Sequence, residues 1–310
     1  MDILLSVALL VVGLALVIVS ADEAIKRLLN LARYLRLSEF VVSFVLAGVI
    51  AILPELSIGV LAAVGGVSSL GYGVILGANV ADLTLVIGVV TLFAKKLTLD
   101  KATMHNIRLS FVAVTLPVLL FIDGEISRMD GVLLIIAFAV YIFFLLRAKH
   151  DGPAFNEKPR RLHILRDMTI LLGCLGALLL GGIFITDNSE TLSLALGLPI
   201  FIVGLIVAIG TCLPEMAFAI RSCNKAHCGL GLGNILGNVL ADSLLTIGLI
   251  ALIQPIHPAI FLSPFLTGIL MVASAVIVYL LSRDGVLDRR DGLLLVVIYA
   301  IFIAIQSILA

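Results

Sequence analysis

Charge is what this sequence has least of. Only 13% of its 310 residues are Asp, Glu, Lys or Arg, and twenty acids balance twenty Lys and Arg residues to a net charge of zero. A soluble domain carries about a quarter charged residues, so a water-exposed globule is excluded. With no basic excess, nothing in the charge balance favours nucleic-acid binding. Cysteine is scarce too: Cys174, Cys212, Cys223 and Cys228 show neither a CxxC nor a zinc spacing. They read as small apolar residues and reduced thiols. His105, His150, His163, His227 and His257 form no cluster and avoid the middles of the apolar runs, which argues against a transition-metal site. The chain lacks GxSxG, HExxH and a paired YD/GxGD motif, so an intramembrane enzyme is not expected. Its start has no basic n-region of a secretory signal, and the first apolar segment is expected to be retained.

Apolar residues are abundant, at 62% of the chain, with a mean hydropathy of +1.25. They fall into runs long enough to cross a hydrocarbon core of about 30 Å. Hydropathy and breaks predict spans near 3–22, 39–64, 72–94, 105–122 and 130–148, then near 168–188, 195–221, 230–252, 259–281 and 292–309. Helices are the economical form, because backbone amides in lipid must be paired within the segment. The expectation is an all-α polytopic membrane protein of ten transmembrane helices. It divides into a first five-helix repeat at 1–148, a short cytoplasmic linker at 149–167 and a second repeat at 168–310. Charge tests the count: nineteen of the twenty Lys and Arg residues follow odd-numbered spans, and only Arg128 follows an even one. The positive-inside rule then predicts a cytoplasmic basic face and both termini extracellular.

The halves repeat. Leu53-Pro54-Glu55 answers Leu213-Pro214-Glu215, Ala81-Asp82 answers Ala241-Asp242, and Ile87-Gly88 answers Ile247-Gly248, all 160 residues apart. Five spans per half is an odd number, so the second copy enters the membrane inverted, a plan common among secondary transporters. Four carboxylates lie inside apolar spans: Glu55, Asp82, Glu215 and Asp242. At about 2.5–3.5 kcal/mol each they cost roughly 10–14 kcal/mol on the insertion scale. Their symmetric placement points to function. Pro54 and Pro214 each precede a glutamate, where proline removes a helical hydrogen bond and frees a carbonyl one turn earlier. Carboxylates beside freed carbonyls suit a hard cation, which prefers oxygen ligands. Asn79, Asn234 and Asn238 offer amide oxygens or interhelical packing. Asp22 and Glu23, with Asp187 and Glu190, read as cap or interface residues ending the first and sixth spans. Asp123, Asp130, Asp284 and Asp291 each precede a glycine and read as turns.

At these residues the chain resembles the cation/calcium exchanger superfamily, in particular its prokaryotic sodium/calcium exchangers. Gly210-Thr211-Cys212-Leu213-Pro214-Glu215 is close to the family's G-T-S-L-P-E, and the run from Gly233 to Asp242 follows its G-N-x-x-G-S-N-x-x-D pattern. The resemblance implies an antiporter that exchanges about three Na+ for one Ca2+ by alternating access, with the first and sixth helices sliding past the rest. It implies Glu55 and Glu215 as central ligands, Asp82 and Asp242 beside them, and Thr211 and Cys212 at ion-contact positions. Ala51 would offer its carbonyl, and Asn238, a candidate ligand, replaces in the second repeat the serine that Ala78 replaces in the first. The chain departs from the pattern at Ala51, Ile52 and Ala78, which lack the family's hydroxyls, and at Asp82, where many members carry asparagine. H+/Ca2+ or K+-dependent antiport therefore stays open. The expected partners are the lipid bilayer and inorganic cations, with no cofactor, no nucleic acid, and a monomer sufficient.

Overall fold

The computed structural model describes residues 3–34, 52–99, 101–147, 161–224 and 228–309. Ala51 and most of the 149–167 stretch lie outside them. Among the described residues, seven helices are long and apolar enough to cross a membrane: Ile3–Ala24, Ser68–Ala94, Ile164–Leu196, Ile200–Ile220, Gly231–Ile253, Leu262–Leu281 and Arg289–Leu309. Helices Leu53–Val64, Lys101–Leu120 and Arg128–Arg147 occupy the three remaining predicted positions, the second, fourth and fifth.

The spans differ in depth. In the third and eighth, 89% and 78% of the most apolar window is buried, against 22% and 28% in the first and sixth. The carboxylate-bearing third and eighth spans are therefore the centre, and the first and sixth are peripheral. Both outer helices outrun their predicted spans. Helix α1 runs Ile3–Tyr34 and α7 runs Arg161–Leu196 (α2 to α6 being Leu53–Val64, Ser68–Ala81, Ile87–Ala94, Lys101–Leu120 and Arg128–Arg147). Asp22 and Glu23 stand at the end of the first apolar span, which closes at Ala24, although the helix runs on, whereas Asp187 and Glu190 do not end the sixth, which runs to Leu196. All four sit within continuous helix, where Asp22 and Glu23 pair with Lys26 and Arg27 one turn on. Arg27 reaches across to Asp167 of α7 at 2.8 Å. Backbone meets backbone between the same helices: a Cβ on Gly13 would lie 2.9 Å from the Gly181 carbonyl oxygen.

Inversion is visible in the loops. Strand β1 (Lys96–Thr98), after the third span, pairs antiparallel with β2 (Val286–Asp288), after the ninth, in register Leu97↔Leu287. Ile126, after the fourth span, forms an antiparallel bridge with Ile256, after the eighth. Odd loops pair with odd and even with even, as ten spans require. Helix contacts cross the halves in the same way. Gly88 of α4 abuts Gly292 of the last helix, where an added Cβ would meet a carbonyl oxygen at 2.8 Å, and Gly248 abuts Gly131 of α6.

Two readings need correction. Gly124 and Gly285, with φ of 93° and 72°, do make turns, but Asp130-Gly131 and Asp291-Gly292 lie in the first turns of helices. There Asp130 accepts the Ser127 N–H at 2.9 Å and Asp291 accepts the Asp288 N–H at 2.7 Å, so both acids are capping residues. Their glycines permit the cross-half contacts just described. The cysteines are not all reduced thiols either: Cys223 and Cys228 form a disulfide, while Cys174 and Cys212 are free and buried.

Candidate functional site

In each repeat one acid stands in the first turn of a helix and another opens a π-helical turn. In the seventh span the chain leaves helix α8 (Ile200–Thr211), turns at Cys212, and re-enters helix as α9 (Leu213–Asn224). In the first repeat, helix α2 starts at Leu53, after a turn at Ile52. Pro54 and Pro214 are thus second residues of helices, where a missing N–H costs nothing. Glu55 and Glu215 fall in those first turns, and the helix dipole favours negative charge there.

The second feature is the π-helical turn. Residues Asp82–Val86 follow α3, and Asp242–Thr246 follow α10 (Cys228–Ala241) and precede α11 (Ile247–Ile253). Each begins with the aspartate, at the same 160-residue offset. Such single π turns are frequent at functional sites. Hydropathy gave no sign of them, because a π turn and an α turn place the same residues in lipid or protein.

The described sequence candidates lie in the protein interior. Glu55, Asp82, Thr211, Cys212, Glu215, Asn238 and Asp242 are each at most 5% exposed. Glu215 lies within electrostatic reach of Glu55, Asp82 and Asp242. The two repeats interlock through polar contacts. Asn238 Nδ2 donates to Asp82 Oδ2 at 3.3 Å, the Cys212 thiol donates to the Ala78 carbonyl at 3.6 Å, and Asn79 Nδ2 donates to Ser243 Oγ at 3.0 Å. The Thr246 hydroxyl donates to Asp242 Oδ1 at 3.0 Å, and that of Thr211 to the Ala208 carbonyl at 3.1 Å. Asn234 is half-buried, one turn before Asn238. Ser243 and Thr246 were not singled out from the sequence. Their signal was a hydroxyl one and four residues after an intramembrane acid, the latter on its own helix face.

The oxygen inventory decides what this arrangement can do. Both carboxylate oxygens of Glu55, one each of Asp82, Glu215 and Asp242, and the amide oxygens of Asn79 and Asn238 are buried without a hydrogen-bond partner among the described residues. None of the four acids belongs to an ion pair with a described Lys, Arg or His. A buried unpaired acceptor costs about 1–3 kcal/mol, and more when charged. Seven acceptor oxygens in one interior, with donors already turned aside, fit a hard cation.

Comparison with known proteins agrees with that chemistry. The family model described as sodium/calcium exchanger protein matches residues 5–147 and 168–308. The sodium/calcium exchanger MaX1 of Methanosarcina acetivorans is 23% identical over 343 residues, covering 96% of this chain and 97% of that protein. Among solved structures, the sodium-calcium exchanger NCX_Mj soaked with 10 mM Na+ superposes with a TM-score of 0.68 at 23% identity, covering 98% of this chain and 99% of its own. An H+/Ca2+ exchanger, CAX, superposes with a TM-score of 0.76 at 17% identity, covering 97% and 86%. The two likenesses establish a shared ten-helix, inverted-repeat fold.

Proposed function

The chain belongs to the sodium/calcium exchanger family, and from that premise we infer that it is a membrane antiporter exchanging Ca2+ for Na+ by alternating access. The observation that supports the reading is the symmetric set of four buried acids, each with a carboxylate oxygen that has no hydrogen-bond partner among the described residues. We assign Glu55 and Glu215 as the central ligands, each held at a helix start, with Asp82 and Asp242 beside them at the π turns. Thr211 and Asn238 supply neutral oxygens from the second repeat, and the Ala51 carbonyl is assigned from its position in the sequence alone.

Charge explains why exchange is obligatory. Four ionised acids carry up to four negative charges, and one Ca2+ offsets two. The remainder must be met by Na+ or protons before the site can pass between its two accessible states without a severe desolvation cost. An empty, fully ionised site is costly to move, and one loaded with either cation set is not.

H+/Ca2+ exchange is a second reading with specific support. Ile52 is fully buried and brings only hydrocarbon to a position where the family has a hydroxyl, and Ala78 does the same. Cys212 brings sulfur, a poor ligand for Na+. Fewer hydroxyls mean fewer Na+ sites, and Asp82 adds a group able to carry a proton. We favour Na+ because Thr211 and Asn238 keep oxygen at two positions of the second repeat. Flux into sealed proteoliposomes distinguishes the two. Ca2+ uptake driven by an outward Na+ gradient is expected. Equal uptake against a proton gradient with no Na+ present would replace the sodium reading with the proton one.

A further inference from the structure

Asn79 is fully buried, three residues before Asp82 and on the same helix face. Its Nδ2 donates to Ser243 Oγ at 3.0 Å, across the boundary between the repeats, and Ser243 directly follows Asp242 in the second π turn. Its Oδ1 has no hydrogen-bond partner among the described residues. Asn238 is laid out reciprocally, with Nδ2 on Asp82 at 3.3 Å and Oδ1 unpartnered. Each amide anchors its nitrogen on the opposite repeat and leaves its buried oxygen without a partner among the described residues. A simple interhelical cross-link would satisfy both ends.

The two amides are not register equivalents. At the 160-residue offset Asn238 answers Ala78, and Asn79 answers Val239. The first repeat, poor in oxygen at Ala51, Ile52 and Ala78, therefore carries an amide one residue further on. We propose that Asn79 is a ligand of the transported cation, supplying through Oδ1 the neutral oxygen the first repeat otherwise lacks, with Ser243 as its positioning residue. An amide oxygen is a good ligand for Ca2+ or Na+, and it adds no negative charge to four acids already close together. Ser243 keeps the amide nitrogen, whose hydrogens would repel a cation, turned away.

The assignment rests on the antiport reading for the identity of its cation, so the test separates binding from transport. The purified full chain is titrated with Ca2+ alone, following the rise in thermal midpoint, and Na+-driven Ca2+ uptake is measured in proteoliposomes. Asn79→Leu is expected to weaken apparent Ca2+ affinity in both assays on the order of tenfold, while the ion-free thermal midpoint stays near that of the unaltered chain. Asn79→Asp, which keeps an oxygen, is expected to retain binding. Ser243→Ala is expected to raise KM for Ca2+ about fivefold with kcat unchanged. Unchanged affinity in Asn79→Leu, or equal losses in the Leu and Asp variants, overturns the assignment. If Asn79→Leu fails to fold, Ser243→Ala decides, and an unmoved KM overturns it. If the unaltered chain binds Ca2+ but does not exchange it for Na+, the antiport reading fails, and the ligand role is judged on the titration alone.

Discussion

Glu55 and Glu215 open helices at matching points of the two repeats, and their burial without a basic partner among the described residues makes each dependent on a cation for its charge. Replacing either with glutamine keeps shape and removes that charge. Glu55→Gln and Glu215→Gln are therefore expected to reduce Ca2+ flux to background at matched membrane expression, and wild-type-like uptake by either would refute the assigned ligands. Asp82→Asn removes one acid and leaves an oxygen. It is expected to keep Na+-driven Ca2+ uptake and to flatten its dependence on pH or K+, as read from initial rates across a pH series; an unaltered profile would show that Asp82 carries no counter-ion. The four acids were legible because symmetric, costly residues stand out against lipid-compatible sequence. Ser243 and Thr246 were not, since a hydroxyl in a membrane helix more often bonds its own backbone, as Thr84 and Thr91 do here.

At the scale of the element, what escaped the sequence was where helices end and how they touch. Hydropathy stops the first span near residue 22, but intrahelical pairs carry α1 on to Tyr34. The Asp-Gly steps at 130 and 291 carry the composition of turns yet open helices, because their carboxylates cap the chain three residues back. Removing the Ser127 hydroxyl, which accepts the Asp130 N–H at 3.3 Å, by Ser127→Ala is expected to cost about 1 kcal/mol, measured as a lower midpoint in mixed-micelle unfolding. Gly292→Ala should cost more, about 1–3 kcal/mol, because its methyl would press on the Gly88 carbonyl oxygen. Asp288 gives the same region a pH dependence. The Asp291 and Arg290 amides, bonded to its carboxylate, hold it below the ordinary 3.8. The stabilisation is complete above that value and is lost as pH falls through the lower folded one. Acidification below about pH 4 should loosen the start of the last helix, and Asp288→Asn should abolish that dependence in hydrogen exchange of residues 289–292.

For the molecule as a whole, the alternating charge of the loops predicts sidedness. A single cysteine at Asp284, exposed and beside β2, should react with an impermeant maleimide only after the membrane is opened. One at Glu125 should react in intact cells; the reverse pattern would overturn the cytoplasmic assignment of the basic face. Span number and inversion were readable because an odd repeat forces them. The interlocking of the halves was not, since pairings such as Leu97 with Leu287 join residues far apart in sequence. That interlocking has a genetic consequence. Each half lends the other a strand partner and a glycine face, so a gene cut between codons 148 and 161 should yield two products that are each degraded when made alone. Made together from separate messages, they should rescue one another and restore transport, as though the ancestral partnership of two polypeptides had never been fused.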